Sequence, residues 1–234
     1  MAKLSDPENS PVPKYMQAAE LGQECKELIP TLPLEKGWIT SHFHQYQGFW
    51  LTTRILQEST CKVVYLCRDP KDTFVSLWHF TNNLRAQSRG TLPLQEAFEN
   101  FCRGVSSFGP FWEHVLVYWK KSLERPEKVM FLKYEEMKMK PNFYLKELAE
   151  FLECPFSKEE EFKGVVDDIL NLCSFEKLSN LEVNKIGKGF LNMENKAFFR
   201  LGNIGDWKNH LTTEMVEQIN TIAEEKFVKH GLCF

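Results

Sequence analysis

Residues 62–78, KVVYLCRDPKDTFVSLW, constrain the fold more than any other part of this chain. The run from Val63 to Cys67 is continuously apolar, as in strands that are buried on both faces of a sheet. Asp72 is a candidate N-cap for the helix that follows. One face of that helix would carry Phe74, Leu77, Trp78 and Thr81. The stretch therefore predicts a buried strand, a sharp turn and a helix.

Helical patterns recur along the rest of the chain. Prolines at 93, 110 and 141 each stand just before an apolar helical period, where proline is tolerated. Ser157 and Glu160 match a capping box, and the apolar positions after them predict a helix through Leu170. A last helix is predicted from about Thr213, with Gly231 as its stop. A short helix is predicted at 20–28.

A second strand is predicted at 129–132, ending at Lys133 and Tyr134. Strands are few, helices are many, and the two clear strands are separated by helical patterns. This order predicts an α/β domain with a small parallel sheet.

Composition limits the classes of protein to which the chain can belong. Its 234 residues, 43% of them hydrophobic, suffice for one substantial core. We expect a flexible leader at 1–19 and one domain at 20–234. A net charge of −3 argues against binding nucleic acid through a basic surface. No apolar run has membrane-spanning length, and the start of the chain does not resemble a secretory signal. The odd number of cysteines, 7, without a C-x-x-C pair indicates reduced thiols in a cytoplasmic protein.

Arg68 and Ser76 form the first candidate anion site. Ligands of parallel α/β sheets bind beyond the carboxyl ends of the strands, where Arg68 is expected. Ser76 would lie about one turn into the next helix, near N–H groups and a dipole that favour an anion. Arginine suits phosphate because its planar fork donates two hydrogen bonds. Alternatively, Arg68 pairs with Asp69 or Asp72, and Ser76 is an ordinary helix residue.

Residues 199–209, FRLGNIGDWKN, form a second candidate. Gly202 and Gly205 permit backbone conformations that let a ligand approach the main chain, and Arg200 beside them is a natural phosphate partner. The alternative is an ordinary loop with two turn glycines. A glycine-rich phosphate loop with a lysine is found nowhere in the sequence.

Residues 65–76 and 200–209 together resemble the plant-type cytosolic sulfotransferases. Further segments of the same family are matched at 28–38, 46–50, 132–138 and 181–185. The resemblance implies a P-loop-like sulfotransferase fold, a three-layer α/β structure with a small parallel sheet.

The resemblance also implies an activity and a set of ligand contacts. Such enzymes transfer a sulfuryl group from 3′-phosphoadenosine 5′-phosphosulfate (PAPS), a co-substrate, to a hydroxyl of a small organic acceptor such as a flavonoid or a hormone. By resemblance, Arg68 and Ser76 would hold the 3′-phosphate. Arg200, Leu201 and Gly202 would close around it. Tyr134 would lie near the adenine, and residues 174–175 would also face the nucleotide.

The sequence departs from the family in one segment and at one residue. The family's Pro-Lys-Ser-Gly-Thr-Thr-Trp loop, which cradles the 5′-phosphosulfate, and its catalytic histidine have no counterpart here. Residues up to 57 match the early region, and residues from 58 match the approach to the strand. We therefore predict an internal truncation between about 57 and 58, with loss of a central strand. Leu201 stands where the family has lysine, which removes a positive charge from the site.

No residue is assigned as catalytic, and no metal site is predicted. Histidines 42 and 44 match a segment other than the catalytic one. Histidines 79 and 114 resemble positions near the acceptor pocket but fit an aromatic wall, and histidines 210 and 230 are expected at the surface.

Three hypotheses remain. The first is a sulfotransferase-family enzyme that uses PAPS. The second is an inactive nucleotide-binding remnant that keeps the 3′-phosphate site and binds the desulfated product weakly or pairs with an intact relative; a homodimer is the alternative to such pairing. The third is a transcript artefact at the 57–58 junction.

Overall fold

A parallel two-stranded sheet lies beside the largest helices. The computed structural model describes residues 34–36, 42–44, 62–85, 90–106, 110–189 and 193–234. Strand β3 (Val63–Cys67) pairs in parallel with β4 (Val129–Lys133), in a register that sets Val63 opposite Val129. The predicted parallel sheet is confirmed. Strands β1 (Leu34–Lys36) and β2 (His42–His44), which the sequence did not predict, form a separate antiparallel pair.

Helices connect and flank the sheet. In chain order they are α1 (Pro70–Leu84), α2 (Leu94–Cys102), α3 (Phe111–Glu124), α4 (Tyr134–Met139), α5 (Pro141–Phe151), α6 (Lys158–Phe162), α7 (Val165–Leu172), α8 (Phe175–Asn180), α9 (Glu182–Ile186) and α10 (Thr213–Lys226). Short 3₁₀ segments follow at Asn195–Phe198, Asp206–Asn209 and Val228–His230. The helices predicted after the three prolines and near Thr213 are confirmed.

The core lies between α1, α2, α3 and α10. Its largest fully buried side chains are aromatic, and their rings pack at tilted or edge-on angles that favour contact between ring edges and faces. The buried aromatic set is Phe74, Phe98, Phe101, Trp112 and Phe227. Cys67 at the end of β3 and Phe74 and Val75 of α1 belong to this core, which packs α1 against the end of the strand and positions the residues of a site there.

One face of β3 is open, contrary to the prediction of a strand buried on both faces. Cys67 is buried, but Val64 is 40% and Leu66 52% exposed. Alternate residues of a strand point to opposite faces, so Val64 and Leu66 share the open one. In the described part of the chain nothing buries this face, which is why the continuous apolar run does not give continuous burial.

The start of α1 differs from the prediction at two points. Asp69, and not Asp72, is the N-cap, because its Oδ1 accepts a hydrogen bond from the Lys71 N–H at 2.7 Å. Asp72 is instead fully buried. Because the helix begins at Pro70, Ser76 lies in its second turn, past the free N–H groups that were expected to favour an anion there.

The predicted capping box at Ser157 and Glu160 is confirmed: the Glu160 N–H donates to the Ser157 hydroxyl, and the Ser157 N–H donates to the Glu160 carboxylate. The single helix predicted after it is wrong, because Gly164, with φ +76°, separates α6 from α7. Within the described ranges, no helix is both long enough and apolar enough to cross a membrane. The predicted leader, the helix at 20–28 and the junction at 57–58 lie outside the described residues.

Candidate functional site

A cavity of about 700 Å³ opens at the carboxyl ends of β3 and β4. Its wall includes Phe175, one of the pair 174–175, and six further residues that the resemblance assigned to the nucleotide. Those six come from three distant parts of the chain. These residues are Arg68, Ser76, Tyr134, Arg200, Leu201 and Gly202. The fold therefore brings the predicted set together around one space.

Helix α1 supplies a long side of this cavity. Thr73, Ser76, Phe80 and Asn83 all line it, and their spacing of three or four residues puts them on one helical face. The wall is polar at the start of the helix and becomes aromatic at Phe80, whose ring packs on that of Phe198 at 5.3 Å.

Arg68 is held at the strand end from several directions. Its Nη2 donates to the carbonyl oxygen of Asn203 and lies 3.4 Å from an Asp72 carboxylate oxygen. The guanidinium carbon is 4.9 Å from the centre of the Tyr134 ring, a cation–π distance. Of the two sequence alternatives for Arg68, pairing with Asp72 occurs, and the side chain still lines the cavity.

Arg200 approaches the same cavity from the loop after α9. Its Nη1 donates to Asp206 Oδ2 at 2.5 Å, and its side chain is 22% exposed. The side chain of Asp206 is more deeply buried, with 9% of it exposed. Burial alone would raise the pKa of Asp206, but hydrogen bonds from Arg200 and Asn209 outweigh it, and the pKa is lowered. Asp206 is therefore held as an anion beside Arg200.

Buried guanidinium nitrogens mark both arginines as incompletely satisfied. Nε of Arg68 and Nε of Arg200 are buried, and neither has a hydrogen-bond partner among the described residues. A buried donor without an acceptor is costly, and native structures seldom leave one without a reason. Both nitrogens belong to side chains on the cavity wall.

Gly202 packs closely against the wall. It has φ +64°, in the left-handed region that favours glycine, and a Cβ placed on it would lie 2.7 Å from Cδ2 of Phe175. Its carbonyl oxygen accepts a hydrogen bond from the Tyr134 hydroxyl at 2.7 Å. The loop thus contacts α4 and α8 through a residue without a side chain. Leu201 beside it is 45% exposed.

Asp72 joins the two arginine-bearing segments, a role that the sequence analysis missed. Its carboxylate accepts hydrogen bonds from the backbone N–H of Gly205 at 2.7 Å and of Trp207 at 3.1 Å. The only sequence signal was an aspartate in the first turn of an amphipathic helix, which equally fits a cap. Asp206 was also missed, although it directly follows the glycine loop.

His79, His114, His210 and His230 are not among the described residues that line the cavity. His114 Nδ1 is 2.8 Å from the hydroxyl of Tyr65, and burial lowers the pKa of His114. The ring centres of His79 and His210 are 4.9 Å apart, and the side chain of His210 is 25% exposed, so it keeps contact with solvent. Histidines 42 and 44 are the end residues of β2. No described set of three or more His, Cys, Asp or Glu residues is arranged to hold a metal ion.

These features define an α/β protein with a cavity at the carboxyl edge of a parallel sheet. The sequence profile of the sulfotransferase domain matches residues 35–231. The chain therefore belongs to the sulfotransferase family.

Named relatives and solved structures agree with this assignment. Cytosolic sulfotransferase 5 of Arabidopsis thaliana is 54% identical over 179 residues, which cover 76% of this chain and 55% of that protein. Cytosolic sulfotransferase 15 of the same plant is 51% identical over 192 residues, 82% of this chain and 54% of that protein. A mouse sulfotransferase complexed with PAP superposes with a TM-score of 0.62 at 26% identity, covering 74% of this chain and 60% of that one. The chain spans about half the length of the curated relatives it matches.

Proposed function

We propose that the cavity binds the 3′-phosphate end of PAPS, and that the protein acts in sulfuryl transfer from PAPS to a hydroxyl of a small organic acceptor. The observation that carries the proposal is the convergence of Arg68 and Arg200, far apart in sequence, on one cavity. Two planar guanidinium groups can each donate paired hydrogen bonds to a phosphate. The solved mouse relative that carries PAP supports the choice of nucleotide.

The donors of the cavity fit such a ligand. Arg68 and Arg200 both line the cavity, and each guanidinium has more N–H donors than its hydrogen bonds to described residues use, so further donors remain for phosphate oxygens. Ser76 adds a hydroxyl on the same wall, and Tyr134 adds a ring over which Arg68 already lies. Leu201 and Gly202 would close the loop side of the phosphate.

Sulfuryl transfer breaks the bond between sulfur and the bridging oxygen of the 5′-phosphate and forms a bond to the acceptor oxygen, while a base removes the acceptor proton. The residues described here supply the hold on the 3′-phosphate and the apolar wall near Phe80. The catalytic base remains unassigned, and the truncation between about 57 and 58 remains a prediction. We infer action in the cytoplasm from the names of the plant relatives.

A ligand-dependent unfolding experiment tests the binding part. We expect PAP (3′,5′-diphosphoadenosine) to raise the midpoint of thermal unfolding of the whole chain, since a ligand at 100 times its Kd stabilises the folded state by about 2.7 kcal/mol. Arg68→Ala and Arg200→Ala should each reduce the shift. A shift that is unchanged in both variants would show that PAP binds elsewhere, and no shift at saturating PAP would overturn the proposal.

A transfer assay tests the enzymatic part. The chain is incubated with PAPS carrying labelled sulfate and a panel of hydroxylated acceptors. Labelled product that is lost in Arg68→Ala supports sulfuryl transfer at this cavity. PAP binding without any labelled product would instead favour the nucleotide-binding remnant. Sequencing of the transcript across codons 57 and 58 separately tests the truncation.

A further inference from the structure

We infer that Asp206 is a positioning residue for Arg200: its carboxylate fixes the guanidinium in the orientation that binds the phosphate. The inference rests on the proposed function, because it assigns a role at the same cavity. Asp206 itself is not among the residues that line the cavity. It would therefore act on the ligand only through Arg200.

Both carboxylate oxygens of Asp206 have polar contacts. Oδ2 accepts from Arg200 Nη1 at 2.5 Å and lies 3.4 Å from Nε2 of His210. Oδ1 accepts from the side-chain amide of Asn209 at 3.0 Å. With both oxygens engaged, the carboxylate has little freedom to turn, and the guanidinium that it holds shares that restriction.

The backbone around Asp206 is fixed as well. Asp206 begins the 3₁₀ segment Asp206–Asn209, and the N–H groups of the residues on either side of it, Gly205 and Trp207, donate to buried Asp72. Asp206 is thereby attached to the first turn of α1, from which Ser76 faces the cavity one turn later. This gives Arg200 a rigid support although it lies on a loop.

An unsupported arginine would bind less well for a physical reason. Its long side chain has many rotamers, and ordering them on binding costs free energy. A carboxylate that orders the side chain before the ligand arrives removes part of that cost. It takes up Nη1, and because Nε is buried, Nη2 is the nitrogen that this contact leaves for the ligand.

The test is a double-mutant cycle on PAP binding, measured by calorimetry with the full chain. Asp206→Asn keeps the size of the side chain but removes its charge, and we expect it to weaken PAP binding about tenfold. In the Arg200→Ala background the same change should alter binding less than about twofold. Asp206→Glu keeps a carboxylate at this position. In the protein with Arg200 intact, we expect it to bind PAP with most of the wild-type affinity.

Unfolding midpoints without ligand separate positioning from stability. If Asp206→Asn lowers the midpoint but leaves PAP affinity unchanged, the inference is wrong. It is equally wrong if Asp206→Asn weakens binding to the same extent with and without Arg200. If Arg200→Ala leaves PAP affinity unchanged, Arg200 does not contact the ligand. The proposed function is then wrong at this residue, and so is the inference about Asp206.

A milder variant covers the case in which Asp206→Asn does not fold. Asn209→Ala removes the hydrogen bond to Oδ1 at an exposed position. We expect it to weaken PAP binding by a few-fold, and only where Arg200 is present. A folded Asn209→Ala protein with unchanged affinity would count against the positioning role.

Discussion

Leu201 puts an apolar side chain beside Arg200 on the cavity wall, at a position where the family resemblance leads us to expect lysine. A lysine there would add a cation close to the phosphate proposed to bind. Since Leu201 is 45% exposed, solvent screens much of that gain. We expect Leu201→Lys to tighten PAP binding about fivefold, less at high salt. Calorimetry at two salt concentrations measures it, with Leu201→Gln as the uncharged control. Equal gains in both variants would refute a charge effect.

The two glycines of the loop provide a matched pair of substitutions. Gly202 and Gly205 both have positive φ, +64° and +84°, so alanine strains either backbone by about 1–2 kcal/mol. Only at Gly202 would the new Cβ also strike the Phe175 ring, at 2.7 Å, whereas the nearest atom at Gly205 is Lys208 Cε at 3.9 Å. We therefore expect Gly202→Ala to lower the free energy of unfolding more than Gly205→Ala does.

Chemical denaturation of both variants measures the difference. Adding Phe175→Ala to Gly202→Ala should remove the steric part, because the ring that is struck is gone. Phe175→Ala alone supplies the reference for the lost packing. If the two glycine variants prove equally stable, then contact with Phe175 does not constrain Gly202.

At the scale of elements, Asp72 connects α1 to the loop that carries Arg200. It is fully buried, and two backbone N–H groups and Arg68 depend on it. Removal of one partner from a buried charge pair typically costs about 3–5 kcal/mol. We expect Asp72→Ala to lower the free energy of unfolding by about that much and to abolish PAP binding, because the loop loses its anchor.

Asp69→Asn is the control for that prediction. It changes the N-cap carboxylate three residues before Asp72. Asparagine caps a helix about as well as aspartate, and the ion pair with Lys71 Nζ at 3.2 Å, which is also lost, is worth about 1 kcal/mol or less, so the loss of stability should stay well below that of Asp72→Ala. Urea denaturation of both variants gives the comparison. A similar loss of stability in the two would mean that the first turn of α1 is sensitive to charge in general.

Local sequence signals predicted the elements well where the cause of the structure is itself local. Prolines 93, 110 and 141, the capping box at Ser157 and the apolar run of β3 all act within a few residues. The predictions that were wrong concern features that depend on residues far apart in the sequence. The role of Asp72 depends on N–H groups more than a hundred residues later, and the open face of β3 depends on what packs against it. Neither is encoded in a local pattern.

At the scale of the whole molecule, the candidate site was predictable as a set only through the family resemblance. Periodicity and spacing left Arg68 and Arg200 with ordinary alternatives, and no local rule brings residues 132 positions apart to one cavity. The structure adds Asp206 and the support from Asp72. Each is a single aspartate whose partners are set by tertiary packing, so composition and period cannot identify it.

Stability of the whole molecule should fall as the solution is acidified through the histidine range. Burial lowers the pKa of His79 and of His114 below the ordinary value for histidine, and Arg200 adds repulsion at His79. The unfolded chain then binds more protons than the folded one, so stability is fully present above about pH 6.5 and is lost as pH falls through the lowered folded values. Carboxylates with lowered pKa contribute only in more acidic solution.

We expect urea unfolding to show lower stability at about pH 5.5 than at about pH 7.5, and the double variant His79→Gln, His114→Gln to show a weaker dependence on pH. A wild-type curve without slope, or an equal slope in the double variant, would exclude these two histidines as its source.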